Sequence, residues 1–472
     1  MKYLFSTLFS LACLGLMAQT YSYQFTVDGV ANDTVYLANY FGGKLYYNDT
    51  TAVDDKGRFE FSGEGTKKGG IYAVILPDGK TYFEFVINEP SFSASTTLSD
   101  PEGNLTFKGS KENQAFYTYK NFLIEKRKLG AELQKELQEA KGKKRSSINQ
   151  ELKELNEEVT SFRTNFFEEN ADLLIGKVMK MTLEPDVPEN KSSDSTFAFY
   201  YFKNHYLDHV DFTDDRMLYT PIFNGKVDYY LKKLTPQNPD SICASAKYMA
   251  DRAKEDSEIF KYIVQYTTTT YEKSKIMGMD AVFVCMAENF YLKDKAYWMD
   301  SAKIAEIEER YAVLRNLTLG QQADNIILLD ETGEWKALHD IDAEYTVLYF
   351  WDPNCGHCKK ETPKLQTWYE EWKDKDVEVF AVCTDFESGD WKKYIEENEL
   401  TFINVSDNPD INKNAWKYIN AGKTTLTSLN FRDYWDIFST PQFYLLDKDK
   451  NIVAKKLGTE QIEEFINKRR GK

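Results

Sequence analysis

The sequence predicts a multidomain protein with an N-terminal β-sandwich-like domain, a helical middle region and a C-terminal α/β domain. Three changes of pattern along the chain support this prediction. Residues 20–112 contain short aromatic and β-branched runs, residues 113–315 have helical composition, and residues 316–472 alternate strand-like with helical segments. A chain of 472 residues can form two or three domains, each with a sizeable core.

The predicted N-terminal domain rests on five strand-like runs separated by Asp-Gly, Lys-Gly and Gly-Gly turns. These runs are residues 23–27, 34–37, 58–61, 71–75 and 81–86. Apolar and polar residues alternate along them, which is typical of strands that bury one face. We therefore expect their aromatic side chains to fill the core between two sheets.

The middle region is predicted to begin with a helical hairpin over residues 113–170, because two charged, proline-free segments are separated by a break near Gly142. A helical domain is predicted over residues 171–315. Within it, His205 and His209 are four residues apart and could face one metal ion. The same helix face offers no third ligand in the sequence, so we expect structural roles for both histidines.

The most informative motif is a pair of cysteines, Cys355 and Cys358, separated by two residues. Residues 345–351, before the pair, are β-branched and aromatic and predict a buried strand, whereas residues 358–373 predict a helix. A strand that leads such a pair onto a helix N-terminus is typical of a redox-active dithiol. The free N–H groups and the dipole of the helix favour a thiolate on Cys355.

A zinc site is the alternative interpretation of this motif, but it needs a second pair of cysteine or histidine ligands at a suitable spacing. The other cysteines are scattered singly: Cys13, Cys243, Cys285 and Cys383. We therefore expect a dithiol without a metal. Cys243 and Cys285 lie in helical sequence and could pair, and Cys383 ends an apolar strand, which predicts a buried thiol.

With these features, residues from about Asn316 to Lys472 resemble the thioredoxin-fold domain of exported TlpA/ResA-like thiol:disulfide oxidoreductases. The resemblance implies that Cys355 forms the mixed disulfide with a substrate and that Cys358 resolves it. It also implies a cis-proline at Thr440-Pro441, beside the dithiol, where a substrate strand can pair. No dissociable cofactor is implied.

The same resemblance gives roles to further residues. Glu361 matches a carboxylate that is taken to assist proton transfer at the second cysteine, with a raised pKa if it is buried; a solvated helix carboxylate is the alternative. Pro363 matches the proline that kinks the active-site helix. Trp351 is placed with Thr440-Pro441 in the substrate-binding set. Cytoplasmic thioredoxins bury an aspartate where this chain has Tyr349, so proton handling is expected to fall to Glu361.

His357 lies between the two cysteines and is expected to tune the redox potential. An imidazole there would stabilise the thiolate and make the couple more oxidising, as in Cys-Gly-His-Cys isomerase-type sites; a solvent-facing spacer is the alternative. TlpA/ResA-like proteins act as reductants, so the sequence leaves the direction of exchange open. Peroxiredoxins share the fold but carry threonine three residues before the reactive cysteine, and Asp352 at this position argues against peroxidase chemistry.

The N-terminus predicts export to the periplasm or cell envelope. Lys2 precedes an apolar run over residues 3–17 and a small residue, Ala18, which is typical of a signal peptide over residues 1–19. A lipid anchor at Cys13 is the alternative, on a poorly matching motif. The β-domain and the helical domain are also similar to domains of unknown function that precede thioredoxin-like domains in exported proteins of Bacteroidota.

The net charge of −16, without a cluster of basic residues, argues against nucleic acid and anionic membranes as partners. No segment after the predicted signal is long and apolar enough to span a membrane. We therefore expect an exported thiol:disulfide oxidoreductase that acts on protein substrates and exchanges electrons with a thiol partner in the envelope. The alternative is a binding or scaffold protein in which residues 20–315 hold a partner and the dithiol senses redox state.

Overall fold

The computed structural model of the protein describes residues 19–385 and 388–471. Contacts divide these residues into two compact units. The first contains residues 19–235 and 252–259, and the second contains residues 236–251 and 260–471. Residues 1–18 of the predicted signal peptide lie outside the described residues, and the predicted domain limits stay predictions.

The first unit begins with a β-sandwich, as predicted. Its strands are β1 (Thr20–Asp28), β2 (Thr34–Phe41), β3 (Lys44–Ala52), β4 (Arg58–Glu64), β5 (Gly70–Ile75), β6 (Tyr82–Ile87), β7 (Ser91–Thr97) and β8 (Thr106–Lys108). Among the described residues they form one sheet in the order β4-β1-β7-β8 and another in the order β3-β2-β5-β6. The ring of Phe25 on β1 lies 5.1 Å from that of Phe85 on β6, so aromatic side chains fill the space between the two sheets.

Helices complete the first unit. They are α1 (Lys111–Glu139), α2 (Gly142–Glu169), α3 (Leu174–Lys180), α4 (Ser195–His205) and α5 (Pro221–Tyr229). The helices α1 and α2 form the predicted hairpin, with Ser110 capping the first helix. The buried carboxylate of Glu112 accepts hydrogen bonds of 2.8 Å from the backbone N–H groups of Leu174 and Ile175, and thereby attaches α1 to the start of α3.

The second unit contains the remaining helices of the middle region together with the α/β domain. These helices are α6 (Pro239–Ala250), α7 (Glu258–Glu272, which begins in the first unit), α8 (Asp280–Asn289) and α9 (Ser301–Leu314). A disulfide between Cys243 and Cys285 joins α6 to α8, a pairing that the sequence left open.

The α/β domain is built on a mixed sheet. Its strands are β9 (Ile327–Asp330), β10 (Trp335–Ala337), β11 (Tyr345–Trp351), β12 (Val377–Cys383), β13 (Ile403–Ser406), β14 (Gln442–Asp447) and β15 (Ile452–Lys455). In the described residues their order is β10-β9-β13-β12-β11-β14-β15. The strand β11 runs parallel to β12 and antiparallel to β14. This is the thioredoxin-like arrangement that the sequence predicted.

Helices cover both faces of this sheet. They are α10 (Cys358–Trp372), α11 (Ser388–Glu397), α12 (Pro409–Lys413), α13 (Ala415–Asn420), α14 (Leu426–Leu429), α15 (Phe431–Tyr434) and α16 (Thr459–Arg469). The short helices α12 to α15 lie within residues 409–434. Each is shorter than two turns, so it shows no amphipathic period, and local caps such as Asn408 and Thr425 define two of them.

Candidate active site

The strand β11 leads the chain to the dithiol. All its residues are buried, because it is central in the sheet and packs against side chains on both faces. The strand ends at Trp351 and α10 begins at Cys358, so Cys355 lies in the intervening loop and Cys358 in the first helical turn. The predicted delivery of the motif from a strand onto a helix is therefore what the structure shows.

Cys355 is the accessible member of the pair. Its side chain is partly exposed, and its sulfur lies 3.3 Å from the carbonyl oxygen of Thr440. Burial opposes the ionisation of Cys355, but hydrogen bonds to its sulfur outweigh this effect and lower the pKa of Cys355. These hydrogen bonds come from the backbone and side chain of Cys358, the side chain of Thr440 and the backbone of His357. A partly exposed thiol with a lowered pKa at a helix N-terminus is suited to nucleophilic attack.

Cys358 has the opposite character. It is buried, with 1% of its surface exposed. Burial raises the pKa of Cys358 to about 11, and the neighbouring Cys355 sulfur contributes in the same direction. This thiol is therefore protonated at neutral pH and must lose a proton before it can attack a disulfide.

The Thr440-Pro441 peptide bond is cis and directly precedes β14, the neighbour of β11. The carbonyl of Thr440 faces the Cys355 sulfur. The backbone at this point consequently lies within reach of any polypeptide that is bonded to Cys355.

Glu361 lies on α10 and is mostly buried, with 20% of its side chain exposed. Burial opposes ionisation, but hydrogen bonds from the backbone and side chain of Thr459, together with nearby Lys364, lower the pKa of Glu361. The raised pKa that the sequence analysis expected on burial is therefore contradicted. The burial is accompanied by hydrogen-bond donors that favour the charged form.

Tyr349 occupies the position of the thioredoxin aspartate and is fully buried. Its hydroxyl lies 2.8 Å from that of Thr362, which is also buried and follows Cys358 by one turn of α10. Burial raises the pKa of Tyr349, and negative charge on Cys358 would raise it further. Neutral hydroxyl groups thus line the position next to the buried thiol. Thr362 was not among the predicted site residues, although its spacing of four residues from Cys358 places both on one helix face.

Two further predicted site residues differ in their exposure. His357 is exposed, and its backbone N–H contributes to the environment of Cys355. Trp351 is fully buried, with its ring 5.2 Å from that of Tyr394. A buried ring cannot contact a docked substrate, so the prediction of Trp351 as a substrate-binding residue is wrong. Its burial follows from its position on the central strand.

The other candidate ligands and cysteines lie apart from the dithiol. His205 Nδ1 lies 2.7 Å from a carboxylate oxygen of Asp208, and in the described part of the chain no group of three or more metal-ligating side chains occurs. Cys383 is a buried thiol at the end of β12, as predicted, and burial raises its pKa. Within residues 19–385 and 388–471, no helix is both long enough and apolar enough to cross a membrane.

Comparisons with known proteins agree with this geometry. Residues 319–455 match the AhpC/TSA family. The thiol-disulfide oxidoreductase ResA of Bacillus cereus is 26% identical over 161 residues, which cover 34% of this chain and 82% of that protein. The ResA of Halalkalibacterium halodurans is 27% identical over 186 residues, which cover 37% of this chain and 95% of that protein.

Among solved structures, a domain of a possible thiol-disulfide isomerase from Cytophaga hutchinsonii is 34% identical and covers 32% of this chain and 93% of that chain, with a TM-score of 0.27. The C-terminal region is a thioredoxin-like domain of the AhpC/TSA family. Within that class it is related to the ResA-like thiol-disulfide oxidoreductases. Residues 23–116 and 139–316 match two families described as domains of unknown function, DUF4369 and DUF5106.

Proposed function

We propose that this protein is an exported thiol:disulfide oxidoreductase that exchanges disulfides with protein substrates through Cys355 and Cys358. The relationship to ResA-like proteins supports protein-disulfide oxidoreductase activity. The observation that carries the proposal for these two residues is their unequal environment. Cys355 is accessible with a lowered pKa, whereas Cys358 is buried with a pKa of about 11. One thiol is suited to attack and the other to resolution.

The reaction in the reducing direction has two steps. The Cys355 thiolate attacks one sulfur of a substrate disulfide, that bond breaks, and the departing substrate sulfur takes a proton from solvent. The Cys358 thiol then loses its proton and attacks Cys355, which releases the second substrate thiol and leaves a disulfide between the two cysteines. Two electrons pass from the dithiol to the substrate. The same steps in reverse oxidise a substrate dithiol. A partner in the envelope restores the starting state, either as a dithiol that donates two electrons after substrate reduction or as a disulfide that accepts them after substrate oxidation.

Thr440 and Pro441 are our candidates for holding the substrate during this exchange. The Thr440 carbonyl lies 3.3 Å from the attacking sulfur, so a substrate cysteine bonded to Cys355 brings its own backbone beside Thr440. An extended substrate segment can pair there through main-chain hydrogen bonds, which do not depend on its sequence.

Glu361 and His357 are proposed to tune the reaction. Glu361 follows Cys358 by three residues on α10 and is ionised at neutral pH, so it can accept the proton that Cys358 must lose. Its bonds to Thr459 make it a weaker base than a carboxylate with a raised pKa. His357, when protonated, would favour the Cys355 thiolate and make the couple more oxidising.

Export is supported by the disulfide between Cys243 and Cys285, since structural disulfides persist in oxidising compartments and are rare in the cytoplasm. A signal-like sequence over residues 1–19 points the same way. We therefore propose the periplasm or cell envelope as the site of action.

Trapping of mixed disulfides tests the proposed function. The Cys358→Ser variant retains the attacking thiol but cannot resolve, so incubation with oxidised envelope proteins is expected to give covalent adducts that dithiothreitol releases. The Cys355→Ser variant is the matched control and is expected to give none. Equal adducts with both variants would contradict the assigned roles. Partner binding without adducts in either variant would favour the scaffold alternative.

A further inference from the structure

Phe438 carries an exposed aromatic ring in the segment that leads to Thr440. Its side chain is 85% exposed, more than that of any other large apolar residue in the described part of the chain. A single exposed apolar side chain needs no explanation in itself. Phe438, however, precedes Thr440 by only two residues, and the Thr440 carbonyl lies 3.3 Å from the Cys355 sulfur. The exposed ring is therefore part of the loop that borders the site.

A helix of the middle region holds this loop. Arg310 on α9 forms an ion pair with Asp436, and its guanidinium lies 5.6 Å from the centre of the Phe438 ring. The pair is shielded, with 31% of the Arg310 side chain and 17% of the Asp436 side chain exposed. Planar guanidinium groups stack well on aromatic faces, so Arg310 supports one side of the ring.

The loop backbone is fixed as well. Asp436 has a φ of 57°, a left-handed conformation that aspartate adopts more readily than most other non-glycine residues and that is typical of a tight turn. The backbone N–H of Ile437 donates to the carbonyl of Arg432 at 2.8 Å, and that of Phe438 donates to the carbonyl of Asp436 at 3.2 Å. The Trp435 carbonyl accepts a hydrogen bond from the buried hydroxyl of Tyr444 on β14. The ring is thus presented on an ordered turn, which lowers the entropy cost of using it in binding.

We propose that Phe438, positioned by Arg310 and Asp436, docks an apolar side chain of an extended, disulfide-carrying segment of a protein substrate. This inference rests on the proposed function and adds a determinant of substrate class. Two residues of extended chain span about 7 Å, so the ring meets a substrate side chain roughly two positions from the bonded cysteine. A small disulfide such as glutathione disulfide does not reach that far with an apolar group. The ring therefore favours unfolded or extended protein segments over small thiols.

The test compares two substrates for each variant. We would mix the reduced protein with an excess of an unfolded protein disulfide or of glutathione disulfide, measure the second-order rate constant of its single oxidation by each, and form the ratio of the two constants. Phe438→Ala is expected to lower this ratio about five-fold, the loss typical of an important contact residue, mainly through weaker binding of the protein substrate. Phe438→Leu is expected to recover part of the ratio, because an apolar side chain remains.

Two further variants control the experiment. Trp416→Ala removes another exposed aromatic ring, 66% exposed on α13, and is expected to leave the ratio within about two-fold of the wild type. Arg310→Lys keeps a positive charge opposite Asp436 but loses the planar group over the ring, and should give an intermediate ratio.

The outcomes separate this inference from the proposed function. An unchanged ratio in Phe438→Ala, or an equal drop in Trp416→Ala, would overturn the docking role while the wild-type enzyme still reduces both disulfides. If the wild-type protein reduces neither disulfide, the same ratio is measured for the oxidised protein with the corresponding dithiols; if it reacts in neither direction, the proposed function itself fails. Self-association that is lost in Phe438→Ala, with no change in the ratio, would show that a second copy of the chain covers the ring instead.

Discussion

The carboxylate of Glu361 accepts hydrogen bonds from both the backbone N–H and the hydroxyl of Thr459, at 3.0 and 2.8 Å. Thr459 is the first residue of α16, and the N-cap position before it is Gly458, which has no side-chain oxygen. Glu361 on α10 thus supplies an acceptor for one of the N–H groups of the first turn that have no partner within the helix. A negative charge at this position is also favoured by the dipole of α16. The same carboxylate that the family resemblance assigns to proton transfer therefore stabilises the fold.

Replacing Glu361 should destabilise the domain in a pH-dependent way. Glu361→Gln is expected to lower the free energy of unfolding by about 1 kcal/mol at neutral pH, because the charged cap is lost. The pKa of Glu361 is lowered in the folded state, so its stabilisation is complete above the ordinary value of 4.5 and disappears as the pH falls through the folded pKa. Urea unfolding, followed by tryptophan fluorescence, measures the effect.

All eight tryptophans lie between residues 298 and 435, so this fluorescence reports the second unit. Glu371→Gln, on an exposed carboxylate of the same helix, is the matched control and should have little effect at any pH. A destabilisation by Glu361→Gln that is the same at neutral and strongly acidic pH would contradict the capping role. If Glu361→Gln slows the resolution of a mixed disulfide but does not lower the free energy of unfolding, Glu361 acts only in proton transfer.

The two active-site thiols should react at different pH values. In the reduced protein, iodoacetamide is expected to modify Cys355 with a midpoint below that of an ordinary cysteine, because hydrogen bonds to its sulfur lower its pKa. Cys358 should resist modification until the pH approaches about 11. Peptide mass spectrometry after brief alkylation separates the two sites. Modification of both thiols at equal rates near neutral pH would show that the environments are not distinct.

The buried hydroxyl pair of Tyr349 and Thr362 should be energetically coupled. Tyr349→Phe leaves the buried Thr362 hydroxyl without its 2.8 Å partner and is expected to cost about 1 to 2 kcal/mol of unfolding free energy. Thr362→Val should cost a similar amount. The double variant should cost less than the sum, since neither of the two hydroxyls is then left facing the place of a missing partner. Strictly additive losses would mean that the two hydroxyls do not interact.

The disulfide between Cys243 and Cys285 should contribute stability and leave the redox site unaffected. The bridge closes a chain separation of 42 residues, and its removal by the double substitution to serine is expected to cost about 2 to 4 kcal/mol. Tryptophan fluorescence again reports the unfolding transition. Non-reducing peptide mapping checks the pairing directly. A reduction potential of the Cys355/Cys358 couple that shifts together with this substitution would contradict the separation of the two cysteine pairs.

The sequence alone predicted those features of the fold and the active site that depend on residues close together in the chain. The strand before Cys355, the helix after Cys358 and the unpaired character of Cys383 all follow from local composition and spacing. The β-sandwich and the helical hairpin were equally predictable. The alternation of apolar and polar residues extends over whole strands, and the high density of charged residues extends over both helices of the hairpin.

The sequence alone did not predict contacts between residues that are far apart in the chain. Glu361 meets Thr459 across 98 residues and Arg310 meets Asp436 across 126 residues, and no local pattern shows such contacts. For the same reason the raised pKa expected for a buried Glu361 was wrong in direction, because the sequence does not show which hydrogen-bond donors surround the carboxylate. Trp351 was placed in the substrate-binding set, whereas the position of β11 between two other strands buries it.

The central claim is that Cys355 and Cys358 form a reversible redox pair, and titration of the purified protein against a glutathione redox buffer tests it most directly. A potential near about −270 mV would mark a reductant, and one of about −180 to −120 mV an isomerase or oxidant that His357 has tuned. In either case we predict one reversible two-electron transition to a disulfide between the two cysteines, monitored by mass after thiol alkylation. Cys355→Ser and Cys358→Ser cannot form this disulfide, and Cys358→Ser is expected to form a mixed disulfide with glutathione instead. The lack of any reversible transition in the wild-type protein would contradict the account.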